Sequence, residues 1–75
     1  MNLLEKAGIR IDHWISHNEN HLKEYEAFAD ELDAAGKSES ARHVRKTAAL
    51  TAEGNQCLRQ ATLTLGPLEQ EESHV

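Results

Sequence analysis

Three histidines, His13, His17 and His21, stand four residues apart in the stretch HWISHNENH. Neutral imidazole ligates Zn, Ni, Co or Cu, and two imidazoles at this spacing on one helix face can chelate a single ion. Side chains four apart sit on adjoining turns but rotate by about 40° per step, so the three histidines spiral around a helix rather than forming a straight ladder. His21 then shares a row with Trp14 and Phe28 and faces inward, His17 falls at the edge of that stripe, and His13 faces water. His17 and His21 are therefore the candidate ligands. In the hairpin argued below, Cys57 comes roughly level with His17 and could add a thiolate. His43 shares a minor row with Leu50 and Cys57, where a second chain could bring it close. His74 is background.

The same stretch has a competing reading as packing. Asn18 falls in a core row, level with Asn55, and Thr51 is one turn away. With His21 they would make a polar layer between apolar ones, each member hydrogen-bonded because unpaired burial costs a few kcal/mol. Such a layer fixes helix alignment and oligomer state at some cost in stability. In the metal version, Asn18 or Asn55 orients an imidazole from behind.

Catalytic arrangements fail on spacing. There is no HExxH, and no glutamate stands three residues before any histidine of the two helical segments, as carboxylate-bridged di-iron bundles require. No glycine-rich phosphate loop is present. Cys57 on a rigid helix has no evident oxyanion hole and reads as a buried, inert thiol. Trp14, Tyr25 and Phe28 read as core and interface residues. The expectation is a protein that is not an enzyme.

Thirteen acidic against eight basic side chains give a net charge of −5, which argues against binding a phosphate backbone. Arg42, Arg45 and Lys46 are the only dense basic group and read as solvated charge. No apolar run approaches the ~20 residues needed to span a bilayer. Neither nucleic acid nor membrane is expected as a partner. The single cysteine excludes an intrachain disulfide, and with no signal peptide it points to a reducing, cytoplasmic setting. A chain of 75 residues is one domain at most, and one so short needs a metal, a partner chain or very regular packing.

The elements that would position these residues are two helices. Asn2 with Glu5 is a near match to a capping box. Gly36 suits the left-handed position after helix one, Ser38 suits the N-cap of helix two with Glu39 favourable against its dipole, and Gly66-Pro67 stops helix two. The spacing predicts a helix over about 3–35, a turn at 36–38 and a helix over about 39–65, so that 1–66 is the hairpin. Gly8 weakens the start of helix one, where Asp12 could cap a fresh start. Residues 67–75, acidic and unpatterned, read as a disordered tail.

Apolar residues repeat every seven positions on both segments, as antiparallel, coiled-coil-like helices require. Folding about Gly36 and Lys37 sets level those residues whose numbers sum to about 73, so large meets small: Leu32 with Ala41, Tyr25 with Ala48, Ala29 with Val44. Two apolar edges remain, Trp14 with Phe28 on helix one and Leu50, Cys57 and Ala61 on helix two. An uncovered edge of this kind favours a homodimer forming a four-helix bundle.

The string His13-Trp14-Ile15-x-His17-Asn18-x-x-His21, followed by Tyr25 and Phe28, resembles a family of short prokaryotic helical-hairpin proteins of unknown function. The likeness covers roughly residues 12–65, including the glycine turn and the alanine- and leucine-rich second helix. It implies that His17, Asn18 and His21 act as a unit, and it implies no activity. Cys57 lies outside the shared pattern, and Asp12 stands where an uncharged residue is expected.

The sequence thus reads as an all-α hairpin, dimerising into a four-helix bundle, with a non-enzymatic role. That role is transition-metal binding through His17 and His21, or else structural or adaptor assembly with a protein partner, the His/Asn layer only setting register.

Overall fold

The computed structural model describes residues 2–66. Helix α1 spans Leu3–Ala34 and helix α2 spans Ser38–Leu65, folded against each other as a hairpin. The capping box at the start is formed: Asn2 Oδ1 accepts from the Glu5 amide at 2.9 Å, and the Asn2 amide donates to Glu5 Oε1 at 3.2 Å. The reciprocal bonds satisfy two amides that the helix start leaves without partners. α1 then runs unbroken through Gly8 and Asp12. The expected tail at 67–75, with His74, lies outside the described residues.

The turn follows from one glycine. Gly36 sits at φ +80°, where a side chain would be strained. That conformation lets the Lys37 amide reach back to the Leu32 carbonyl at 2.8 Å and the Gly36 amide to Asp33 at 2.9 Å, a Schellman closure. The chain leaves this closure so tightly that Lys37 becomes the cap residue of α2, and no side chain caps it. Ser38 is therefore the first helical residue, not the N-cap its type suggests, and the turn ends one residue sooner than the spacing predicts. Gly66, at φ +83°, ends α2.

The register is the expected one. Asn18 Nδ2 donates to Asn55 Oδ1 at 2.9 Å, joining the two residues that the hairpin arithmetic sets level. Among the described residues the buried ones are Ala29, Ala41, Ala48 and Asn55, and each alanine is the small partner of a large–small pair. Their bulkier partners Val44, Leu32 and Tyr25 are half-buried. Three alanines make a thin seam, because a methyl group removes little surface from water compared with the ~1.5–3 kcal/mol of a large apolar side chain.

The two flanks of this seam differ. At 100° per residue, Glu19, Asp30 and Asp33 lie about 60–120° to one side of Asn18 on α1, and Arg59 and Arg45 lie on the matching side of α2. Here the helices are tied by ion pairs. Arg45 bonds Asp30 and Asp33, both at 2.7 Å, and Arg59 bonds Glu19 at 2.8 Å. Arg45 is exposed, as expected of solvated charge, and its guanidinium also reaches across the hairpin. The Asp30 bond first, then the Asp33 bond, raise its pKa further above the ordinary value.

On the other flank Trp14, His21, Phe28 and His17 fall about 40–100° from Asn18, with Leu58, Gly54, Ala61 and Leu50 about 60–140° from Asn55. Among the described residues no ion pair joins the helices there. Trp14 is 47 %, Phe28 53 % and Leu50 55 % exposed. Ile9 and Leu63 are also exposed, but at the open end of the hairpin, beyond the Glu19–Arg59 pair.

Candidate functional site

The histidine stretch lies near the middle of α1, on the open flank. His13 and His17 are exposed and His21 is half-buried. The His17 and His21 ring centres are 4.8 Å apart, with the rings nearly perpendicular. Two imidazoles sharing one ion at about 2.0–2.1 Å from each nitrogen place their centres about 5 Å apart, so this pair is spaced for chelation. His13 stands further off, 5.8 Å from His17. Tyr25 stacks on the opposite side of His21 at 6.0 Å and limits its tilt.

His21 is oriented by its own helix. Its Nδ1 lies 3.1 Å from Glu24 Oε1. A carboxylate only accepts, so the bond puts the proton on Nδ1 and leaves the Nε2 lone pair open. A carboxylate behind a ligating imidazole fixes ring orientation and raises its basicity. Glu24 was not singled out from the sequence, although its position three residues after His21 is the ordinary signal for such a pair.

Asn18 and Asn55 do not fill that orienting role. They bond each other, and Asn55 Nδ2 also donates to the Ile15 carbonyl at 3.2 Å. The polar layer is narrower than the four residues expected. Thr51 turns its hydroxyl back to the Thr47 carbonyl at 2.9 Å, and His21 turns to Glu24. Among the described residues no buried side-chain polar atom lacks a partner, so the asparagine pair is satisfied without an ion.

Cys57 and His43 do not join this pair. Cys57 is exposed, not a buried thiol, because it stands about 160° around α2 from the buried Asn55. His43 is exposed as well. Among the described residues, no group of three or more His, Cys, Asp or Glu side chains gathers as a metal-holding set. A single chain thus offers two neighbouring imidazoles, His17 and His21, with Trp14, Phe28 and Leu50 exposed around them.

A family model described as a domain of unknown function, DUF8180, matches residues 7–65. The chain belongs to this family. The match begins within the first turns of α1 and ends at the last residue of α2, so the DUF8180 domain is the hairpin itself. No curated protein and no solved structure matches the chain. No helix among the described residues is long and apolar enough to cross a membrane.

Proposed function

We propose that this DUF8180 domain is a non-enzymatic, cytoplasmic assembly module in which two hairpins pair through the open flank to form a four-helix bundle. The observation that carries this reading is the contrast between a seam of three buried alanines and a flank that exposes Trp14, Phe28 and Leu50 and where, among the described residues, no ion pair joins the helices. The area is adequate. The 28 residues of α2 make a rod of about 42 Å, and two helices side by side are about 20 Å wide, a face of about 800 Å². That is the area each partner contributes to a standard stable interface. The carboxylates and guanidiniums that bridge the two helices occupy the other flank, and the charged groups on this one are Lys6 and Arg10 beside Trp14 and Glu24 bonded to His21.

The test is sedimentation of the full, tagless chain together with Trp14→Asp, Phe28→Asp. A dimer that the double substitution splits supports the reading. A wild-type monomer that keeps full helicity at high concentration refutes it.

The rival is an adaptor whose outer surface takes a different protein. What favours it is the second exposed cluster, Ile9 and Leu63, which the proposed bundle leaves uncovered. An adaptor of this kind would tolerate Trp14→Asp, Phe28→Asp but lose partner capture with Ile9→Ser, Leu63→Ser.

A further inference from the structure

One row on the open flank of α1 reads nearly the same in both directions. Ala7, Trp14, His21, Phe28 and Ala35 recur at seven-residue intervals, and reversal about His21 exchanges alanine with alanine and aromatic with aromatic. Charge along the same flank changes sign at His21. Lys6 and Arg10 come before it, and Glu24 and, on the adjoining edge, Glu31 come after it, all about 80–140° from Asn18 on the side turned away from α2. Reversal about His21 therefore lays the basic half over the acidic half. An isologous interface needs both properties, since residue i meets residue j of the partner and j meets i.

We propose that two copies pair α1 antiparallel on α1 and α2 on α2, with a two-fold axis crossing the open flank at His21. This rests on the assembly reading above and gives it a geometry. Residues of α1 whose numbers sum to about 42 then come level. Trp14 of each copy meets Phe28 of the other, and the two His21 rings meet at the axis. At the edge Arg10 comes beside Glu31 of the other copy. His17 comes beside Glu24 of the other copy, which bonds its own His21 through one carboxylate oxygen and has a second to offer. Among the described residues Lys6, Arg10 and Glu31 have no ion partner in their own chain. Lys6 and Arg10 stand four apart on the helix, a like-charge spacing that weakens the lone hairpin slightly and that an acidic neighbour relieves.

The second helix points to the same axis independently. Asn18 bonds Asn55, so the level of His21 on α1 is that of residue 52 on α2, and the axis sets Leu50 of each copy against Gly54 of the other. Both lie on the open flank, about 100–140° from Asn55. Leu50 is exposed. Gly54 stands in mid-helix, where glycine is weaker than alanine, yet a Cβ added there would meet nothing within 4 Å. Nothing in the hairpin requires this glycine, whereas a leucine from a second copy does. The other face-to-face two-fold, with its axis along the helices, fails on charge. It puts α1 on α2 of the other copy, whose carboxylates Glu39 and Glu53 come level with residues 34 and 20. Arg10 would then lie between Ala61 and Leu65, with no counter-charge on that helix.

The test uses the full chain in a Cys57→Ser background, with its mass followed by sedimentation and its helicity by circular dichroism. On mild oxidation His21→Cys should give a disulfide-linked dimer, because residues at the axis bring their Cα atoms within the ~4.4–6.8 Å that a disulfide needs. His17→Cys should not, since its two copies lie about 12 Å apart along the helices. Gly54→Leu should keep full helicity and weaken the dimer by at least about 10-fold, as two overfilled contacts push the copies apart. Arg10→Glu should weaken it by about 10-fold, and adding Glu31→Arg should restore it. Three results would each overturn this axis and leave the assembly reading standing. They are a dimer that crosslinks through His17→Cys as readily as through His21→Cys, one indifferent to Gly54→Leu, and one in which Glu31→Arg fails to rescue Arg10→Glu. A chain that stays monomeric at every concentration overturns both.

Discussion

The two flanks of the hairpin are built from opposite materials. One is sealed by Arg45 across Asp30 and Asp33 and by Arg59 on Glu19, long side chains whose heads remain in water. The other carries half-exposed aromatic rings and the histidine pair, and among the described residues no ion pair joins the helices there. Exposed ion pairs stabilise a fold little, typically by about 0–1 kcal/mol each, and are screened by salt. Large apolar groups contribute more, but only once something covers them. The charged flank ties the two helices to each other, whereas the other flank leaves its aromatic rings half exposed.

Charging the apolar flank should have the largest effect. Trp14→Asp with Phe28→Asp removes four ring contacts from a dimer, each worth on the order of 2 kcal/mol given that about half of each ring is still exposed in the hairpin. The dimer dissociation constant should rise by at least about 1000-fold, with loss of helicity at low concentration as the isolated seam of alanines melts. Sedimentation and circular dichroism over a dilution series would check both parts.

Next in size is the asparagine pair between the flanks. Asn55→Ala leaves the Asn18 amide without its acceptor and should cost about 1–3 kcal/mol in a urea melt. Replacing Asn18 and Asn55 together by leucine should recover that loss or exceed it, while loosening the choice of oligomer. Equal destabilisation by the single and double substitutions would show that the pair is not acting as a unit.

The effect of a bound ion is comparable and confined to the open flank. With Zn at ~100 times its dissociation constant, the wild type should gain about 2.7 kcal/mol, and the His17→Ala, His21→Ala variant nothing. The gain should fade at acid pH, because a protonated imidazole cannot ligate. A gain that survives in the variant would move the ion away from these residues.

The smallest effect belongs to the charged flank. Arg45→Gln with Arg59→Gln should lower the melting temperature less than Asn55→Ala, in a salt-dependent way, and leave the oligomeric state unchanged. The Arg45 pKa is raised in the fold, so its favourable term is fully present below the unfolded value and is lost only as pH rises through the folded one. Both values lie above the working range. Melts at neutral and mildly alkaline pH should therefore give the same Arg45 contribution.

Local chemistry made much of this legible in the sequence. The capping box at Asn2 and Glu5 depends on neighbours three residues apart, and Gly36 marks a conformation other residues avoid. The Asn18–Asn55 register followed from seven-residue rows and a single turn, since a hairpin of two regular helices has few ways to align. What escaped depends on reach and rotation. Arg45 is exposed as its row suggests, but its partners Asp30 and Asp33 come within the length of its side chain only through the turn. Lys37 displaced Ser38 as the cap because the Schellman closure, not residue preference, sets where α2 begins. Cys57 looked buried because its minor row is apolar, but the row points away from α1. At the candidate site the His17–His21 pair was legible from spacing, whereas its orientation by Glu24 needed the side-chain geometry.

In the proposed dimer the flank bearing Trp14, Phe28 and the histidines is covered by a second copy of the chain. Sedimentation equilibrium of the full, metal-free protein across a wide concentration range tests it most directly. The account predicts a species of twice the 8.4 kDa chain mass, with Trp14 fluorescence blue-shifted as the ring leaves water. A fully helical species at the mass of one chain, with solvent-exposed Trp14 at the highest concentration, would contradict it.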